Sequence, residues 1–225
     1  MKRRLLFLTC LGSLVGAASA WADHPVELGQ TDPRPAVSCP ENCNAVGQVT
    51  GFMVQQGTKM HPYQPRRRGK VVAFSVTLGD PKPSDIDFFK KLFGGRSQAQ
   101  LSVLRPGTRQ RYRVTGVSEV FDLEPYFGST PTFPLSRPLT VKPGYAVALT
   151  IPTWAPAFAV GLGADEAWRG SRDPKRCDDV QQQAAQTTRG QLASYSCLFH
   201  NARLMYTVTF IPAPKVTKPG ALPQQ

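Results

Sequence analysis

Residues 137–163 constrain the fold most. Leu139 and Val141 share one side of an extended segment, and Pro143-Gly144 follows as a turn. Tyr145, Val147, Leu149 and Ile151 then alternate with Ala146, Ala148 and Thr150. Beyond a second Pro-marked turn around Trp154, Phe158, Val160 and Leu162 alternate with Ala157, Ala159 and Gly161. Successive side chains of a strand point to opposite faces, so a period of two with branched and aromatic residues on one side predicts half-buried strands. Three short strands are expected here. Their small-residue side is flat, which predicts a cover for it: the polar segment 169–190, the N-terminal arm, or a ligand.

The same alternation recurs at Val72, Phe74, Val76 and Leu78, and at Leu204, Tyr206, Val208 and Phe210. Nine to eleven strands with long connections predict an all-β fold, a jelly-roll-like antiparallel β-sandwich over residues 45–211. A chain of 225 residues with 21 Pro and 19 Gly suits one such domain. Gly47 and Gly51 inside a strand pattern predict a bulge or a close neighbour, and Gly116 a second bulge. One helix, about residues 84–94, interrupts the pattern. Ser84 is its expected N-cap, with Asp87 completing a capping box. Lys90 and Lys91 suit its C-terminal end, and Gly94 suits the C-cap. Ile86, Phe89 and Phe93 give it one apolar face.

Residues 1–20 read as a signal peptide: Lys2-Arg3-Arg4, an apolar run from Leu5, and Ala18-Ser19-Ala20 before the cleavage point. No later run is long and apolar enough to span a bilayer as a helix. The product is expected to be secreted, extracellular or periplasmic, with an N-terminal arm at 21–44 and a Pro-rich tail at 212–225. Outside the leader stand Cys39, Cys43, Cys177 and Cys197. In an exported chain they predict disulfides, and proximity pairs Cys39 with Cys43 and Cys177 with Cys197. His24, His61 and His200 are scattered and the cysteine spacings match no zinc pattern, so neither a metal nor a cofactor is expected.

The net charge of +12, three units of it in the leader, favours anionic partners. Arg109, Arg111 and Arg113 alternate along one strand. They read first as a solvated face that keeps an edge from aggregating, and second as an anion-binding strip. No Gly-x-Ser-x-Gly, His-Glu-x-x-His or phosphate-loop pattern is present. Glu119, Asp122 and Glu124 form one carboxylate group and Asp165 with Glu166 another, as a glycosidase would need. The ligand platform expected on the flat face uses Trp154 and Trp168 to stack on a sugar ring. Arg169 and Arg172 would hold its carboxylate or sulfate.

At residues 126–145, continuing through Thr153-Trp-Ala-Pro-Ala-Phe-Ala and Ala167-Trp-Arg-Gly-Ser-Arg172, the chain resembles uncharacterised exported proteins of soil actinobacteria. The resemblance spans about residues 45–211. It implies export and a β-sandwich, and it carries no activity. The expected function is that of a non-catalytic binding module for a cell-envelope or environmental polysaccharide, an anionic one by charge. The alternative is a structural or protein-interaction protein of the cell envelope. A polysaccharide lyase or glycosidase is a further reading. Specific nucleic-acid binding is not expected.

Overall fold

The computed structural model describes residues 24–180 and 185–214. The expected leader and most of the expected tail lie outside these residues. The first half of the described chain holds β1 (Val26–Leu28), β2 (Val46–Gln56), β3 (Lys59–Met60), β4 (Gly69–Val76), α1 (Pro83–Phe93), β5 (Gln98–Pro106) and β6 (Arg111–Val117). Next come β7 (Phe121–Asp122), β8 (Thr132–Val141), β9 (Ala146–Ala155), β10 (Phe158–Val160) and β11 (Glu166–Gly170). The last strands are β12 (Leu192–Ser194), β13 (Cys197–His200), β14 (Ala202–Leu204) and β15 (Tyr206–Pro212).

The protein is an all-β sandwich, and every strand pairing is antiparallel. A four-stranded sheet has the order β1-β15-β4-β8. A larger sheet runs β12-β6-β5-β9-β2-β11-β13, with β3 and β7 appended. The main core lies between them. Val71, Phe74, Val141, Tyr206 and Val208 come from the small sheet; Val49, Met53, Leu101, Val147, Leu149 and Trp168 meet them from the large one. The N-terminal arm contributes β1, which pairs with β15.

The large sheet curls until its ends meet. β12 pairs with β6 at one end, β13 pairs with β11 at the other, and the two are consecutive pieces of one bent segment. Tyr195, between them, donates its N–H to Gln110 O at 2.8 Å, while Arg169 Nη1 donates to Tyr195 O at 3.0 Å and Ser196 O at 3.2 Å. The curl encloses a second, smaller core of Phe52, Leu104, Val114, Ala146, Ala148 and Tyr195. The bend also divides residues 193, 195, 197 and 199, which a straight strand would hold on one face. Ala193 and Tyr195 turn into the curl, whereas Phe199 joins the main core.

The segment 137–163 folds partly as expected. Pro143-Gly144 makes the first turn, and Tyr145 N–H reaches Lys142 O at 3.1 Å. The second turn lies later than expected, because β9 continues through Pro152 to Ala155. Pro152 is tolerated inside the sheet because β2 is bulged opposite it, between Gly47 and Val49, and the β5 pairing begins only at Thr150. β10 does not pair beside β9 but with β14, and its faces do not divide as expected: Ala157 and Ala159 are buried and Val160 is exposed, while Phe158 packs against the main core.

Both glycine expectations on β2 hold. A Cβ on Gly47 would come within 2.5 Å of the Phe93 ring, and one on Gly51 within 2.9 Å of the Trp168 ring. At Gly116 the β5–β6 register shifts, beside Thr115. The helix starts one residue earlier than expected. Pro83 occupies its first position, where a fixed φ and a missing N–H cost nothing. Lys82 is therefore the N-cap in place of Ser84, and its N–H is taken by Asp85 Oδ2 at 3.1 Å rather than by an Asp87 box.

Candidate functional site

The flat face of Ala146, Ala148 and Thr150 turns into the curl, and the chain covers it at one end with its own polar segment. Gln186 N–H donates to Thr50 Oγ1 at 2.8 Å, and Ser102 Oγ donates to Gln186 O at 3.1 Å. Thr150 Oγ1 lies 2.9 Å from Thr50 Oγ1 and 2.8 Å from Ser102 Oγ. Each hydroxyl has one proton to give. Because Ser102 spends its own on Gln186, Thr150 must donate to Ser102 and Thr50 to Thr150. The four residues thus close a directional ring that seals this end. Gln100 Nε2 adds a bond to Thr187 O at 3.1 Å. The Cys177–Cys197 disulfide tethers the same segment, and the arm carries the Cys39–Cys43 disulfide.

The expected tryptophan platform does not exist. Trp154 is 0% exposed and Trp168 2%. Trp154 lies under α1, 5.3 Å from the Phe89 ring and 5.7 Å from the Phe127 ring, with Nε1 donating to Gly95 O at 3.2 Å. Trp168 stacks on Phe199 at 4.5 Å inside the main core. Trp154 stands opposite Gly47 and Trp168 opposite Met53, so the two are roughly 20 Å apart along β2. The arginines separate as well. Arg172 sits 4.9 Å over the Phe199 ring and donates to Cys177 O at 2.7 Å, which clamps the disulfide segment. Burial pulls its pKa down, partly offset by Asp178 and Asp179. Arg169, by contrast, lines a cavity.

That cavity is the open end of the curl, about 320 Å³. Its apolar wall is Val54 on β2, Met60 on β3, Ala167 on β11 and Leu198 on β13. Tyr112 of β6 stands at its inner side, edge-on to Phe52 at 5.3 Å and to Tyr195 at 5.2 Å. Burial raises the Tyr112 pKa, against a smaller lowering from the Arg169 charge. The polar lining is Gln55, His61, Gln110, Arg169 and His200, with Gln55 Nε2 already donated to Gly57 O at 3.1 Å. Strand register fixes two of these: His200 lies opposite Ala167, and Arg169 opposite Leu198. Deeper in the curl, the buried Tyr195 hydroxyl lies near Thr50 without making a hydrogen bond of good geometry. The cavity draws on five strands, the β2–β3 hairpin, β6, β11 and β13, from four stretches of the sequence. For that reason His61 and His200 read as unrelated in the linear chain.

Four of the five carboxylates singled out in the sequence have structural partners. Glu119 accepts the Ser136 N–H at 2.7 Å. Asp122 lies 3.5 Å from Arg96, and Glu124 3.2 Å from Lys90. Glu166 pairs with Arg203 in the interior, and Asp165 is exposed. Among the described residues no group of three or more His, Cys, Asp or Glu could hold a metal ion, and no helix is long and apolar enough to cross a membrane. No protein-family model, curated protein or solved structure matches the chain.

Proposed function

We propose that the protein is an exported, non-catalytic binding protein that takes an acidic sugar of a polysaccharide into the open end of its curled sheet. The observation that carries this reading is the convergence of Arg169, Tyr112, His61 and His200 on one cavity with an apolar wall. The volume lies at the lower end of ordinary ligand pockets and suits one or two sugar rings. Arg169 spends only Nη1 on the Tyr195 and Ser196 carbonyls, which leaves the rest of its fork for a ligand carboxylate. The imidazoles and the Gln110 amide suit hydroxyls, and the Tyr112 and Leu198 surfaces suit the apolar face of a ring. The two disulfides fit an oxidising compartment outside the cytosol.

Calorimetric titration tests this. An oligogalacturonide should bind the wild type, a neutral glucan of equal length should not, and His61→Ala/His200→Ala should weaken binding about tenfold or more. Equal binding of the neutral glucan, or none of the acidic one, would contradict the reading. The same residues favour a second reading, β-elimination from a uronate. An imidazole would take the proton beside the carboxylate, its C–H electrons would form the ring double bond, and the leaving oxygen would depart with the Tyr112 proton. Ultraviolet absorbance of the unsaturated product distinguishes lyase from binder.

A further inference from the structure

We infer a second, independent anion site on the outer side of β6, formed by Arg105, Arg111 and Arg113, whose ligand is a glycan carrying sulfate esters. The sequence offers Arg109, Arg111 and Arg113 as a strip; the structure rebuilds it. Arg109 and Gln110 take positive φ, 54° and 57°, and form the turn of the β5–β6 hairpin, so Arg109 leaves the strip. Arg105 replaces it from the neighbouring strand, directly opposite Arg113. The three guanidinium groups, with Thr108, Gly107 and Leu192, line a depression of about 220 Å³.

Like charges directly opposite one another on adjacent strands oppose pairing. Here none of the three arginines has an acidic partner within 4.0 Å among the described residues. Arg113 donates to Gly190 O at 2.9 Å, and Arg105 and Arg111 make no side-chain bond there. The three exposed charges thus face solvent with no acidic side chain of the protein to neutralise them, which leaves them available to an anion from outside.

The shape and chemistry of the depression select among anions. It is a shallow depression open to solvent, which a single charged group of a chain can enter. It contains no aromatic ring on which a base could stack, which disfavours single-stranded nucleic acid. Strand geometry spaces the backbones of the arginines by roughly 5–7 Å, which lets their guanidinium groups reach anionic groups on successive sugar rings. Leu192, 41% exposed, offers an apolar surface for a ring beside the charges. The site lies on the opposite face of β6 from Tyr112 and does not rest on the cavity reading.

Retention on immobilised dextran sulfate through a salt gradient tests the inference, with Tm confirming that each variant is folded. Arg105→Ala/Arg111→Ala/Arg113→Ala should bind about tenfold or more weakly. Should that variant not fold, Arg105→Gln and Arg111→Gln singly should each reduce retention. A control of equal charge loss, Lys91→Ala/Arg137→Ala/Lys142→Ala, should bind within about twofold of wild type, because its residues lie outside the depression. His61→Ala/His200→Ala should be retained like wild type, which separates failure here from failure of the cavity reading. Equal losses in the arginine variant and the charge control would overturn the site. So would displacement by polyphosphate, single-stranded DNA or phosphatidylglycerol vesicles as effective as displacement by dextran sulfate.

Discussion

Ser102 and Thr150, on the neighbouring strands β5 and β9, meet hydroxyl to hydroxyl at 2.8 Å inside the curl of the large sheet. The contact belongs to the ring that runs from Gln186 N–H through Thr50, Thr150 and Ser102 back to Gln186 O. All four residues are buried. Removing one hydroxyl strands both a donor and an acceptor, at a cost of about 1–3 kcal/mol. Thr150→Val, close in volume, should lower the unfolding free energy by that amount. It should also speed hydrogen exchange at Gln186 N–H. Unchanged exchange there would mean that the segment is held by something other than the ring.

The tryptophans are structural. Trp154→Ala and Trp168→Ala should each destabilise by about 3–5 kcal/mol, as expected when a large buried ring is removed. Denaturant unfolding checks this, and Trp154→Ala should additionally loosen α1 through the loss of its Phe89 contact.

Glu166 and Arg203 form a buried pair, with Arg203 Nη1 also bonded to Thr31 at 2.6 Å. Breaking such a pair leaves an uncompensated interior charge, worth about 3–5 kcal/mol. Arg203→Met should therefore be much more harmful than Glu166→Gln/Arg203→Met. Equal stabilities of the two variants would show that the pair is not coupled.

Three phenols set an alkaline limit. Burial is the leading cause that raises the pKa of Tyr63, Tyr195 and Tyr206. A raised folded pKa means that the unfolded chain ionises first. The stabilisation is present in full below the ordinary phenol value of about 10. It is lost as pH climbs from there toward the folded values. Tyrosinate absorbance should thus show a cooperative step that coincides with loss of circular dichroism. Smooth ionisation of all phenols before unfolding would contradict the burial.

The alternation of Val147, Leu149 and Ile151 against Ala146, Ala148 and Thr150 made the sandwich legible, because a period of two has one structural meaning. Both disulfides were legible from proximity, and α1 from its charges and apolar spacing. The curl was not. It depends on one bent segment, 192–200, pairing with β6 at one end and β11 at the other, and no local pattern encodes two partners. Trp154 misled for a related reason. Pro152 looks like a strand terminator until the bulge opposite it is known. The cavity was legible only at Arg169, since Tyr112, His61 and His200 reach it through long-range register.

The open end of the curl is the site proposed to bind an acidic sugar. Titration of isotope-labelled protein with oligogalacturonide, followed by NMR, tests it residue by residue. Saturable shifts are expected at Tyr112, Arg169, Leu198 and His200, with Trp154 and the Gln186 ring unmoved. Shifts confined to Arg105, Arg111 and Arg113, or none at the cavity at saturating ligand, would contradict it.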